Sequence, residues 1–499
     1  MSIRTIEKLV LGLFILVGLF FSIPKGQVQK QAPKFSPTIP KVWDEEAFHS
    51  MDLPLVGLGQ APTQVPAEYY YKIPVGKIFK TYPVYAPGRE PAGYFEWLKQ
   101  QEPVEAFQPE QLKTEEDWVK AGELIFTNPV FISARKTEAY RTPQFYEKAQ
   151  APIAADGTVP FVRYVIREKG KVETGDQVCG FCHTRVLDDG RIAIGAQGKT
   201  PIIPIGLALA AFAPVPTTPP AATSVTAAQA TAKANLLARN TLPWLTPNPI
   251  EELHNLTIAE INGRIERVPG IFARPGTEFW PTKTPDLIGL KERKYLDATG
   301  VSRHRSIDDF MRYVATIEPL PSLLQYASFG KYGSFLPLPD PLSKIRFSEE
   351  MLYALGLYIY SLKPPENPNK PSALTRRGEQ IFQKEGCVNC HTPPLYTNNK
   401  LIPADVIGTD LRLAMQTRKA TGFYKVPSLK GVWYRGPFEH NGSISTLEEW
   451  FDPARLQKDY VPTGYKGFGV KTRAITGHEF GLKLSAEDKK ALIAFLKTL

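Results

Sequence analysis

Two five-residue runs constrain this chain more than any other feature: Cys179-Gly180-Phe181-Cys182-His183 and Cys387-Val388-Asn389-Cys390-His391. Between them they use all four cysteines of the 499 residues. Each sets two thiols three positions apart, with an imidazole beside the second. Thiols at that spacing reach the two vinyl groups of one porphyrin, and the adjacent imidazole supplies an axial nitrogen to its iron. A thioredoxin-like redox pair would want a surrounding βαβ pattern, which the sequence does not show. A Cys₄ zinc site would leave both histidines without a role. The runs therefore predict two covalently bound haem c groups, attached through Cys179, Cys182, Cys387 and Cys390, with His183 and His391 as metal ligands.

A repeated frame surrounds both runs. Val119-Lys120-Ala121-Gly122-Glu123-Leu124-Ile125-Phe126 precedes the first, and Thr375-Arg376-Arg377-Gly378-Glu379-Gln380-Ile381-Phe382 precedes the second. Each has the apolar spacing of a short one-faced helix. A closing helix follows each run, opened by Ser348-Glu349-Glu350 in one copy and Ser485-Ala486-Glu487 in the other. A serine N-cap with an acidic first turn satisfies the free amides and the helix dipole. The fold class predicted is mainly α: two cytochrome c-like helical domains, joined by the stiff linker Lys363-Pro364-Pro365-Glu366-Asn367-Pro368.

The first copy is much the larger. From the helix glycine to the first cysteine is 9 residues in the second copy (378 to 387) and 57 in the first (122 to 179). A further stretch from about 190 to 346 separates the first run from its closing helix, and its part from 213 to 232 is low-complexity Pro/Ala/Thr. Insertions that long are read as functional or disordered loops. The division expected is 1–26 as a signal or anchor, 27–110 as an N-terminal extension, 111–366 as domain 1 with its insertions, and 367–499 as domain 2.

Arg4 and Lys8 precede the uncharged apolar stretch Leu9 to Ile23. That is the length of a signal h-region and short of a membrane span of about 20 residues. No small-x-small cleavage site follows it, which favours an uncleaved membrane anchor over a removed signal. Export to the periplasm or beyond is expected either way. The formal charge of +10 is spread along the chain rather than run together, so it describes a solvated basic surface and not a nucleic-acid partner.

Reactivity at a haem depends on the sixth ligand. In the second copy the candidate is His478, fourteen residues before Leu492 of the closing helix. This resembles the place where small soluble cytochromes c carry their methionine. His440 is the runner-up, read instead as a hydrogen-bonding group near the haem edge. The same position in the first copy, 137 residues earlier, is Pro341, which cannot bind iron. His304, Met311 and Met351 are the nearest alternatives. The first haem is thus expected to be five-coordinate and open to dioxygen or peroxide, and the second bis-His and limited to passing electrons.

The segment Tyr424-Lys425-Val426-Pro427-Ser428-Leu429-Lys430-Gly431, with Gly436-Pro437-Phe438-Glu439-His440-Asn441-Gly442-Ser443-Ile444-Ser445-Thr446-Leu447-Glu448 after it, resembles the second-domain signature of the bacterial di-haem cytochrome c peroxidase superfamily. The resemblance covers about residues 111–499. In those peroxidases the second haem is usually His/Met, and a first-domain histidine blocks the active haem until activation. This sequence departs on both counts and looks more like the haem-dependent rubber oxygenase branch. Arg185-Val186-Leu187-Asp188-Asp189-Gly190 and Tyr295-Leu296-Asp297-Ala298-Thr299-Gly300 are similar to that branch as well.

An oxygenase needs an apolar pocket, for which Trp280, Phe279 and Phe310 are candidates. A peroxidase needs a general acid–base near the distal oxygen, for which His304, His254 and Glu278 are candidates. A non-enzymatic electron carrier is the third reading and requires His304 or Met311 on the first iron. A small redox protein is the expected electron donor. Calcium, which peroxidases of the superfamily often hold between domains, finds no decisive ligand cluster here.

Overall fold

The computed structural model describes residues 35–42, 74–200, 283–300, 302–317, 346–411, 421–464 and 471–499, with isolated positions between them. The segment 1–26, the low-complexity stretch 213–232, and Trp244, His254, Glu278, Phe279, Trp280 and Pro341 lie outside the described residues. Among the described residues no helix is long and apolar enough to cross a membrane.

The repeat read from the sequence is built as two crossed helix pairs. Helix α1 (Glu115–Phe126) packs against α3 (Glu349–Ser361), and α4 (Ala373–Lys384) against α5 (Ala486–Lys497). Glycine sets the closeness of both crossings. A Cβ on Gly122 would lie 2.0 Å from the Ala354 carbonyl oxygen, and one on Gly378 would lie 2.0 Å from that of Ala491. No side chain fits there. One turn further on, Phe126 meets Tyr358 and Phe382 meets Phe495, both with ring centres 5.4 Å apart. The helices also start alike. Ser348 and Ser485 each accept a hydrogen bond from the amide three residues on, Met351 and Asp488, both at 3.2 Å, and α1 and α4 both open on a capping box. Helix α2 (Ile307–Ile317) is an addition of the first copy, laid on α3 where Ile307 and Phe310 pack over Gly356.

The expectation of a mainly α chain is corrected by a four-stranded antiparallel sheet. Its strands are β1 (Thr81–Tyr85), β2 (Pro129–Ser133), β3 (Thr158–Glu168) and β4 (Lys171–Gln177), in the spatial order β1-β3-β4-β2. Three of them lie in the 57-residue stretch read as a loop. The β-branched and aromatic run Val159-Pro160-Phe161-Val162-Arg163-Tyr164-Val165-Ile166 favours an extended, half-buried surface. Gly170 closes the β3–β4 hairpin at φ +84°, a left-handed position suited to glycine. Burying Phe161 and Ile166, each 1% exposed, contributes about 2 kcal/mol apiece. Strand β1 comes from the segment read as a separate extension and pairs with β3 in the register Thr81 to Val165 and Tyr82 to Tyr164. A short hairpin, β5 (Thr184–Val186) with β6 (Ile192–Ile194), follows the first Cys-x-x-Cys-His run. In the second copy β7 (Leu401–Pro403) pairs with β8 (Phe423–Lys425).

Candidate haem centres

The two cysteine runs are held by different supports. The first hangs between the end of β4 and the last turn of α1: Val178 N donates to Asn128 O at 2.8 Å, and Gly180 N to Phe126 O at 3.2 Å. The second follows α4 after Glu385 and Gly386 alone. Within each run the chain closes the same turn, with His183 N donating to Cys179 O and His391 N to Cys387 O, both at 2.9 Å. None of the four cysteines is in a disulfide.

Both histidines are prepared in the same way. His183 Nδ1 lies 2.9 Å from Pro285 O, and His391 Nδ1 lies 3.1 Å from Tyr396 O. A backbone carbonyl on one ring nitrogen fixes the tautomer and leaves the other nitrogen to a metal. Burial pulls both imidazoles down to about 4, with His478 adding to the effect on His391, so both are neutral near pH 7. Two thiols outside any disulfide, beside a neutral, carbonyl-anchored imidazole, fit the donor set of a c-type haem, twice over.

What faces each histidine differs. His478 lies opposite His391, ring centres 6.3 Å apart and planes at 61°. Two imidazoles bound through nitrogens at about 2 Å to one metal have ring centres about 6 Å apart. The loop carrying His478 is strained: His478 has φ +46° after Gly477 at +79°, costing about 1–3 kcal/mol at the histidine. Arg455, 1% exposed, holds it there. Its guanidinium donates to Ile475 O at 2.5 Å, Gly477 O at 3.0 Å and His478 O at 2.9 Å. Trp450 and Phe480 flank the His478 ring edge-on. His440 is occupied elsewhere. Its Nδ1 is 2.7 Å from Glu439 Oε2, and its ring stacks on Tyr424 at 4.5 Å. Burial pushes the Glu439 carboxyl up, but the His440 ring outweighs that and holds it at about 2.

Among the described residues no second imidazole faces His183. His304 has both ring nitrogens engaged, Nδ1 with Arg293 O at 2.8 Å and Nε2 with the Tyr360 hydroxyl at 2.5 Å. Met311 is fully buried in the core with Leu352 and Leu355, and Met351 is 5% exposed in the same core. Phe310 is packed between α2 and α3 rather than lining a pocket.

Sequence reasoning missed the strap that supports His183. Residues 283–293 run from the His440 carbonyl, bonded by Lys283 N at 3.2 Å, past Pro285 to Asp286, whose carboxylate accepts from the Tyr434 hydroxyl at 3.0 Å and lies 3.4 Å from Arg435 Nε. Tyr434 and Arg435 fall inside the signature segment, which was a usable signal. Asp286 had none.

No family model matches the chain. Methylamine utilization protein MauG of Methylophilus methylotrophus is 25% identical over 135 residues, 26% of this chain and 37% of that protein. Cytochrome-c peroxidase IdrP2 of Pseudomonas sp. (strain SCT) is 28% identical over 188 residues, 29% of this chain and 47% of that protein. The chain thus spans less than half the length of either relative. Among solved structures, that of a MauG-like protein associated with microbial copper homeostasis overlaps 57% of this chain and 94% of its own, with a TM-score of 0.31 and 15% identity. These partial matches, at 25–28% identity, support the di-haem cytochrome c peroxidase superfamily that the motif segment resembles.

Proposed function

We propose that this protein is an exported di-haem c oxidoreductase whose two haems have unequal duties. Cys179 and Cys182 carry the first and Cys387 and Cys390 the second, with His183 and His391 on the proximal sides. His478 takes the sixth position of the second haem, so that haem relays electrons and binds no substrate. The first haem takes no sixth ligand from the described residues and reacts with dioxygen or peroxide. The observation that supports this asymmetry is the pair of rings at 6.3 Å in the second site, set against His304, Met311 and Met351, which are all committed to other contacts.

A bound haem supplies the one-electron chemistry and small-oxidant binding that side chains lack. The chain's own residues orient it. The Pro285 and Tyr396 carbonyls accept the Nδ1 protons of His183 and His391 and make their other nitrogens better donors. Arg455 and the Trp450–Phe480 flank keep His478 in place and water away from it. His304 is bonded to the Arg293 carbonyl and the Tyr360 hydroxyl, and the aromatic-rich insertions favour the oxygenase-like reading over one that needs a distal acid–base. The peroxidase reading is supported instead by the naming of relatives such as IdrP2. A small redox protein donates electrons through the second haem.

The visible spectrum of the oxidised protein tests this. A high-spin band that cyanide converts to low-spin is expected from the first haem, beside low-spin second haem. Wholly low-spin, cyanide-insensitive haem would leave an electron carrier.

A further inference from the structure

One cluster of side chains is explained neither by packing nor by the ligands proposed above. Lys283, Arg293, Lys425 and Arg435 stand within mutual electrostatic reach between the His183 strap and the signature segment. Most of their partners are backbone carbonyls. Lys425 Nζ donates to Tyr295 O at 3.0 Å and Leu296 O at 3.3 Å; Arg293 donates to the Asp286 carbonyl and to Ile288 O at 2.6 Å; Arg435 donates to Ser428 O at 2.5 Å and Lys430 O at 3.0 Å.

Carbonyl oxygens solvate a buried cation without cancelling its charge. The carboxylates nearby are few. Glu439 is paired with His440, and the Asp297 side chain accepts from Thr299 and the Ser302 amide. Asp286 makes the one close ion pair with the cluster among the described residues, 3.4 Å from Arg435 Nε, while Glu439 and Asp297 act on Lys283 and Lys425 from a greater distance. Arg435 is 9% exposed, and its Nε makes no hydrogen bond. The Lys283 ammonium makes none among the described residues. Burial draws both lysines down to about 7, the response of ammonium groups short of counter-charge. Four buried cations with a single close ion pair among the described residues, and otherwise backbone carbonyls for partners, form a costly arrangement that an entering anion relieves.

We propose that this cluster is a carboxylate site that receives haem propionates at the junction of the two haem lobes. A haem held by thioethers at its vinyl edge presents two carboxylates at the opposite edge. The cluster lies beside the supports of both proximal histidines: the Pro285 carbonyl belongs to the Lys283–Arg293 strap, and Arg435 bonds Ser428, whose hydroxyl donates to Leu395 O at 2.6 Å, next to the Tyr396 carbonyl that holds His391. Lys283 and Arg435 provide the unsatisfied donors, and Asp286 keeps Arg435 aimed into the site.

The inference rests on the di-haem reading, and the test separates the two. Full-length holoprotein is prepared as Lys283→Gln, Lys283→Arg and Lys425→Gln, and haem per chain is counted by the pyridine haemochrome. Midpoint potentials are then read by spectroelectrochemistry, and the propionate bending bands by resonance Raman. A cation at the haem edge disfavours the more positive oxidised form. Both Gln variants should therefore keep two haems, lower the midpoint of the haem whose propionate they touch and shift its propionate band, while Lys283→Arg stays near the parent. The parent itself should show propionate bands that move in D₂O, because exchangeable N–H groups bond them, and this arm needs no variant to fold. Two-haem variants with unchanged potentials overturn the proposal. So does a fallen potential with unmoved propionate bands in variants and in D₂O, which means a distant charge or a free anion in the cluster. A chain that carries no haem sinks the di-haem reading instead.

Discussion

The two haem lobes share one scaffold and differ in everything attached to it. Gly122 and Gly378 sit under the same carbonyl contact at the same 2.0 Å, and the aromatic pairs above them have the same 5.4 Å spacing. Yet the second lobe goes from helix to cysteine in a few residues, and the first inserts three strands of a sheet before reaching its own. The compact lobe has a histidine on each side of its proposed haem. The elaborated one spends its extra chain on β structure, α2 and the strap under His183. The comparison suggests that the helix pair is the fixed haem carrier, and that reactivity is set by what is threaded through it.

The largest effect that breaks the comparison is loss of one haem. Cys387→Ala with Cys390→Ala should halve the covalent haem per chain and remove the low-spin signal, leaving the high-spin one. Cys179→Ala with Cys182→Ala should do the reverse. If either pair leaves two covalent haems, the attachment sites are wrong.

Next comes His478→Ala, which should turn the second haem high-spin and give it a cyanide response like that of the first. His440→Ala should leave the low-spin signal in place, because that ring is committed to Glu439 and Tyr424. An unchanged spectrum in the His478 variant removes the asymmetry on which the function rests.

The shared scaffold can be tested by stability. Gly122→Ala and Gly378→Ala each drive a methyl into a backbone carbonyl that cannot step aside, so each should cost about 3 kcal/mol in denaturant melts. Tolerance of one and not the other would show that the lobes are not equivalent where they look it.

How much of this the sequence disclosed depends on the range of the interaction. The cysteine runs, the serine caps and the helix glycines are local, and spacing alone reveals them. His478 was read from its place in the loop before the closing helix, and the repeat offset from it led to Pro341. The sheet did not show because β1 pairs with β3 across some 80 residues, and β3 lay inside a stretch judged by its distance from the cysteines and not by its own β-branched pattern. The cation cluster joins 283–293 to 425–435. Each half reads as ordinary basic residues until folding puts them in one buried place.

The finest comparison is between the two closing helices. Ser348→Ala and Ser485→Ala each free one amide at N3, at a cost of about 1 kcal/mol. Their surroundings differ in two ways. Helix α3 is clamped between α1 and α2 and buries Met351 and Leu352 in its first turn, so a frayed start there would expose apolar surface. Helix α5 buries its apolar side from Ala491 onward, against α4, Leu447 and Phe451, and its first turn carries Asp488, paired with Arg377 at 2.7 Å. That pair is solvent-exposed and adds less than about 1 kcal/mol. Packing therefore resists fraying more in α3, so the Ser348 variant should lose little beyond the cap itself. The Ser485 variant should lose the cap and part of the ion pair, making it the less stable by a few tenths of a kcal/mol at low salt and equal at high salt. A reversed order would mean that α2 does not brace α3, and that the first lobe's additions serve its surroundings rather than its helix pair.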